Sequence, residues 1–302
     1  MEVLTPRDVP LGGLRAMNVR RTLPQRQRSL IGAWCFLDHY GPDEVDASGE
    51  GMVVPPHPHT GLQTVSWLFT GEIEHRDSAG HHATVRPGEL NLMTAGRGIS
   101  HSEYSTPDTT TLHGAQLWLA LPDGDRQVEP TFEHHAPDPV AGEGWEARVF
   151  IGSLLGSTSP VKTFSPLVGA ELTLEEGTTL LVPVDPAYEL GVLVDFGTLT
   201  VNDETLGAHE LGFLGPGQDS LELSATESTR LLVLGGPPFG EQIVMWWNYI
   251  GREHEEVVAY RAEWEALLAE GSNDRFQLPV DDPLEPLHSP PLPNARMVKR
   301  GP

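Results

Sequence analysis

Apolar and polar positions along this chain alternate over short intervals, and turn residues punctuate them throughout. Residues 29–40, SLIGAWCFLDHY, form an apolar run that predicts a buried strand. Leu62, Val65, Trp67 and Phe69 predict another, with imperfect alternation, ending at Thr70-Gly71-Glu72, after which Ile73 begins the return. HRDSAGHH predicts a second turn, residues 83–85 a short strand, and Arg86-Pro87-Gly88-Glu89 a third turn before Leu90, Leu92 and Met93. Residues 112–122, LHGAQLWLALP, alternate well, sending Gln116 and Trp118 to one face and Leu117 and Leu119 to the other. Turns at this spacing are what a small antiparallel barrel or jelly roll requires. Upstream, Leu14, Met17 and Val19 are packing points for an opening strand.

The pattern then restarts. HHAPDPVAGEG, residues 134–144, has the composition of a linker, and residues 145–154 predict a strand. LTLEEGTTLLVPV, YELGVLVDFGTLTVND, LGFLGPG and TRLLVLGG extend a second set of short strands to about residue 234. One segment differs in period. Val257, Tyr260, Trp264, Leu267 and Leu268 follow helical spacing over residues 253–270, with Gly271 as a stop. Its apolar face must pack on something, most economically a barrel wall. The proline-rich remainder predicts an extended surface tail.

Composition supports a β-rich reading: 302 residues, enough for two ordinary domains, contain 32 glycines and 27 prolines. The formal net charge of −24 argues against nonspecific binding to nucleic acid or anionic membranes. Arg20, Arg21, Arg26 and Arg28 cluster near the start, best read as a solvated or ion-paired edge, and Asp43, Glu44, Asp46 and Glu50 as a solvated loop. Cys35 is the sole cysteine, which excludes an internal disulfide and reads as a buried structural thiol in a reducing setting. The opening residues lack a signal-peptide core and no stretch reaches transmembrane length, so the expectation is a cytoplasmic protein with no membrane partner.

The candidate chemistry lies between residues 55 and 104. His57 and His59 stand two apart, as do His101 and Glu103. On strands, each i, i+2 pair presents both members to one face, so two adjacent strands bring three imidazoles and a carboxylate to one point. Such a set suits one divalent first-row metal, iron foremost, with manganese, copper, nickel and zinc as competitors. HxH alone is common in turns; HxH followed by HxE across glycine-bounded strands is far more specific. His75, His81 and His82 fall at turn-like positions and are not counted as ligands. His39 reads as a satisfied structural histidine, and Gln63 either bonds a ligand imidazole, lines the open positions or is structural. Trp67, Phe36, Met93 and Ile99 are candidates for an aromatic-ring pocket, though each also fits plain core.

HPHTGLQTV and MTAGRGISHSE, with HRDSAG between them, resemble the pirin family of the cupin superfamily. Gln63 stands where the general cupin pattern has glutamate, a departure that pirins share. The resemblance implies an all-β protein of two tandem cupin (jelly-roll) barrels with a C-terminal helix packed on a barrel. Its divisions here are residues 1–134, a metal-binding barrel; 135–144, a linker; 145–240, a barrel lacking ligands; and 241–302, helix and tail. Position by position it implies His57, His59, His101 and Glu103 as metal ligands. It further implies a quercetin 2,3-dioxygenase-type activity, opening a flavonol ring with dioxygen and releasing carbon monoxide, with Glu103 doubling as catalytic base. Pirins also include iron-dependent regulators that bind a protein partner, and a ligand-binding cupin using its metal as a Lewis acid is a third possibility.

Overall fold

The computed structural model describes residues 1–11, 17–45, 51–271 and 273–301; Leu14, Asp46 and Glu50 lie outside them. Its two halves repeat one plan, in which a seven-stranded antiparallel sheet faces a four-stranded one. In the first half the large sheet centres on Leu62–Thr70, Thr111–Ala120 and Trp34–Glu44. The small sheet runs Val53–His59, Ile99–Ser105, Ile73–Asp77, His82–Val85. In the second half Glu189–Phe196, Thr229–Gly236 and Val168–Leu174 form the centre of the large sheet, opposite Thr179–Pro183, Ser220–Ala225, Leu199–Val201 and Glu204–Leu206.

Strand alternation decides which core each side chain joins. Leu117 and Leu119 point out of the first barrel and meet Phe150, Leu193, Leu232 and Leu234 of the second, so the two large sheets pack face to face on one shared core. Each such fully buried side chain stabilises by about 1.5–3 kcal/mol over exposure. Gln116 and Trp118 point inward, as their alternation predicts, and line a cavity. Among the described residues the second barrel holds no comparable polar interior: Leu172, Val182, Val192, Val201, Leu221 and Leu223 fill it. Cys35 is buried against the Trp118 carbonyl (3.5 Å), and burial pushes its thiol well above the usual range, as suits a structural cysteine.

Two connections cross between halves. The first strand, Glu2–Leu4, leaves the first barrel and pairs with Leu211–Leu214 at the edge of the second barrel's large sheet. In the opposite direction, the chain after the second barrel returns to the first. The Val244–Trp246 and Tyr249–Gly251 hairpin bonds Thr60 through the Ile250 amide (3.1 Å), and the helix His254–Glu270 packs Val257, Tyr260 and Trp264 on that hairpin. A capping box between Glu253 and Glu256 starts the helix, and Gly271, in the left-handed conformation, ends it. The tail continues to the small sheet of the first barrel, where the Leu287 amide donates to the Pro56 carbonyl at 2.8 Å. The composition-based linker is not structureless, since Thr131–His135 closes one edge of the first large sheet and Val140–Gly142 one edge of the second. Among the described residues no helix is long and apolar enough to cross a membrane.

Candidate metal centre

Three of the four strands in the small sheet of the first barrel form a platform for polar side chains. Ile99–Ser105 lies in its middle, with His101 directly opposite His57 on one side and opposite Asp77 on the other. Glu103 lies opposite His75. The i, i+2 rule therefore presents His57, His59, His101, Glu103, His75 and Asp77 to one interior face. The Val53–His59 strand lies at the sheet edge, where its prolines cost no ladder hydrogen bond. Its register slips by one residue between His57 and Val54, and the Pro55 carbonyl there accepts Nδ1–H of His57 at 2.9 Å. That bond leaves the His57 Nε2 lone pair free.

The ring nitrogens of His57, His59 and His101 gather within 4.8 Å of one another, all three buried. His59 Nε2 and His101 Nε2 face each other at 3.0 Å. His101 is turned by a chain behind it: its Nδ1 lies 3.3 Å from Nδ1 of His75, whose Nε2 lies 3.2 Å from Oδ2 of Asp77. Asp77 accepts from the amides of Ala79 and His81, and its carboxyl sits below the usual range; burial works against this, and the bonds from His75 and His81 prevail. With the His75 Nε2–H assigned to Asp77, His75 Nδ1 accepts from His101 Nδ1–H and the His101 Nε2 lone pair points at His59. The Asp77–His75 pair thus fixes a tautomer, as outer carboxylates do behind metal-bound imidazoles.

This donor set fits a metal. Two nitrogens bound at right angles to one ion, each about 2.1 Å away, are about 3.0 Å apart, which is the His59–His101 separation. Burial also holds the imidazoles neutral: His57 is lowered to about 4, and His59 and His101 fall well below 6.5, pressed further by one another. Glu103, also buried, groups with His75 and His101 within 4.8 Å rather than with His57 and His59. It accepts from Ser66 Oγ at 3.2 Å, and burial raises its carboxyl above the usual range.

His75 corrects the sequence reading. It is a buried member of the Ile73–Asp77 strand in contact with His101, not a turn residue. Gln63 is settled as structural, donating to Thr94 Oγ1 (2.9 Å) and to the Lys162 carbonyl (3.1 Å). Of the four apolar candidates, only Phe36 lines the cavity, a space of about 430 Å³ in which it stacks on Trp118 at 3.9 Å. Trp67 instead joins the shared core, bonded to Glu171 at 2.7 Å and stacked on Phe150. Met93 and Ile99 pack in the first barrel beside Cys35 and Leu62. Trp246 and Trp247, from the returning hairpin, also line the cavity and were not foreseen.

A second buried group, His39, His113 and Asp195, sits between the barrels. Both histidines donate through Nε2 to Asp195 Oδ1, at 2.7 and 2.6 Å, and Arg230 Nε donates to Oδ2 at 2.7 Å. Their Nδ1 atoms accept from Arg20 and Arg230, each at 3.3 Å. Every ring nitrogen there has a partner, so His39 is a satisfied structural histidine. Arg21 and Arg28 are likewise ion-paired, to Asp38 (2.6 Å) and Glu2 (2.6 Å).

Two jelly-roll barrels in tandem, one filled with aliphatic side chains and the other gathering inward imidazoles, define a two-barrel cupin. The chain matches the Pirin family over residues 15–119 and the Pirin C-terminal cupin domain over 169–268, and it belongs to the pirin family. It is 45% identical over 266 residues, 88% of this chain and 84% of that one, to a Pseudomonas aeruginosa protein named "Putative quercetin 2,3-dioxygenase". It is 34% identical to a pirin-like protein of Caulobacter vibrioides, covering 82% of this chain and 88% of that one. A solved structure of quercetin 2,3-dioxygenase from Acinetobacter baumannii matches with a TM-score of 0.91 at 38% identity, covering 99% of this chain and 97% of that one.

Proposed function

We propose that this protein is a metal-dependent dioxygenase that opens the ring of a flavonol such as quercetin, with iron held by His57, His59, His101 and Glu103. The observation that carries the reading is the set of three neutral, buried imidazoles at one wall of an aromatic-lined cavity. A divalent metal bound there supplies a Lewis acid with positions open to an oxygen-bearing substrate and dioxygen. The chain's own residues do the rest. The Phe36–Trp118 stack offers an apolar wall to a planar ring. Trp246 and Trp247 on the returning hairpin add aromatic surface to the cavity wall. Glu103 takes the proton of the flavonol hydroxyl, and its burial-raised carboxyl makes it the stronger base. The names of the Pseudomonas and Acinetobacter relatives support the substrate class.

The test is oxygen consumption by anaerobically iron-loaded protein given quercetin, with a His57→Ala/His59→Ala double variant as control. Uptake by the parent alone is the expected result, and a metal-replete Glu103→Ala variant should be inactive. No uptake despite stoichiometric iron defeats the dioxygenase reading and turns attention to an iron-dependent regulator with a protein partner. Full activity in metal-replete Glu103→Ala removes that residue's role as base.

A further inference from the structure

Arginines gather where the cavity opens. Arg7, Arg21 and Arg300 line the same cavity as His57, His59 and His101. Burial grades the lining, from imidazoles that are nearly inaccessible, through half-buried Trp246, Trp247 and Arg300, to exposed Arg7. Arg7 and Arg300 also line an adjoining groove with Arg26, Arg28 and Lys299, against a single acid, Glu189. In a chain of 43 acidic and 19 basic residues, this concentration of positive charge is against the bulk balance.

The pairing of these arginines is equally uneven. Most arginines among the described residues have a carboxylate within 4.0 Å, as Arg21 has Asp38 and Arg28 has Glu2. Arg7, Arg26 and Arg300 have none among the described residues, and all three face this groove. Arg7 spends one donor on the Pro24 carbonyl at 2.9 Å and keeps the rest. Its proton affinity is lowered by partial desolvation and then by the charge of Arg21, with Asp38 pulling it back and Arg300 lowering it further, which places these guanidiniums within electrostatic reach of one another. Unpaired guanidiniums side by side repel, and an oxyanion between them relieves the repulsion while accepting forked hydrogen bonds.

We infer that the cavity takes an aromatic acid: a planar ring bearing hydroxyls turned toward the His57–His59–His101 cluster and an oxyanion seated on Arg7 and Arg300. This rests on the proposed reading of the cavity as a site for an oxygen-bearing aromatic substrate, not on turnover, and adds to that class an acidic substituent that quercetin itself does not carry. Asp38, which also lines the cavity, is occupied by Arg21 Nε and Nη2 at 2.6 and 2.7 Å and so does not repel the incoming anion in full.

The test compares two compounds with the same catechol ring, 3,4-dihydroxybenzoate and its uncharged methyl ester, by isothermal titration calorimetry. Both the iron-loaded and the chelator-dialysed protein are titrated. The acid should bind about tenfold or more tighter than the ester, with that preference shrinking as salt is raised. An Arg7→Gln/Arg300→Gln variant, checked for an unchanged thermal midpoint, should bind both compounds alike. Equal affinities in the parent, a preference that survives in the double variant, or no binding of either compound overturns the inference. Because the chelated protein is titrated too, the acid preference stands or falls independently of oxygen uptake: charge-selective binding without turnover defeats only the dioxygenase reading.

Discussion

The His57–His59–His101 cluster and the His39–His113–Asp195 cluster are built from similar side chains at similar depth, and they use their nitrogens in opposite ways. Between the barrels, each imidazole gives its proton to Asp195 and its lone pair to an arginine, so the cluster is electrically closed. Burial would raise Asp195, but the bonds from His113 and His39 hold its carboxyl far below the usual range. Inside the first barrel, the protons of His57 and His101 are drawn backward to the Pro55 carbonyl and the His75–Asp77 pair, leaving their lone pairs aimed inward. Ligand capacity is thus set by what stands behind the ring, not by the count of histidines.

The comparison breaks most visibly at Asp195. Removing this buried carboxylate leaves Arg230 and two imidazoles without their common acceptor, and Asp195→Ala should cost about 3–5 kcal/mol of stability. Denaturant unfolding of the metal-free variant measures this. Iron stoichiometry in the folded fraction should stay at the parental value; an iron-deficient but fully stable variant would reverse the roles given to the two clusters.

Acid should weaken both clusters by the same physical route. His39 and His57 are each lowered to about 4 by burial, whereas an unfolded chain titrates near 6.5. Between those values the unfolded state holds more protons, so stability is full above pH 6.5 and falls as the pH drops toward 4. The loss is on the order of 3 kcal/mol per imidazole. In metal-free protein, His57→Asn should flatten the dependence of the unfolding midpoint on pH; an unchanged slope would assign the acid response to the inter-barrel cluster alone.

The smallest effect sharpens the account of the orienting pair. Asp77→Asn keeps the side-chain shape but weakens the hold on His75, and with iron as the probe metal its affinity should drop by about 10–100-fold while His57, His59 and His101 stay in place. A chelator competition assay reads this. Unchanged affinity would make the His75–Asp77 pair a packing feature only.

How far the sequence carried these conclusions depended on the range of the signal. The His57/His59 and His101/Glu103 pairs are local, and strand alternation alone put each pair on one face. The same rule applied to Ile73, His75 and Asp77, whose inward positions alternate, but the surrounding glycines and polar residues masked a five-residue strand as a turn. Asp195 could not be read as the partner of His39, because 156 residues separate them and only the face-to-face packing of the large sheets joins them. Trp246 and Trp247 carry no local mark that they return to the first barrel. The all-β, two-barrel plan was legible from turn spacing, whereas the three-residue strand Glu2–Leu4 is too short to announce its partner.

That short strand makes the two barrels inseparable in a practical sense. A cut anywhere in residues 135–144 yields a second fragment missing one edge of its own large sheet, since that edge is supplied by the first few residues of the other fragment. The first fragment loses in exchange the hairpin and tail that line its cavity, and with them the helix packed on that hairpin. Each piece keeps a part the other needs, so the fragments should re-associate when mixed, and a bulky fusion at the amino terminus should be felt by the barrel farther along the chain.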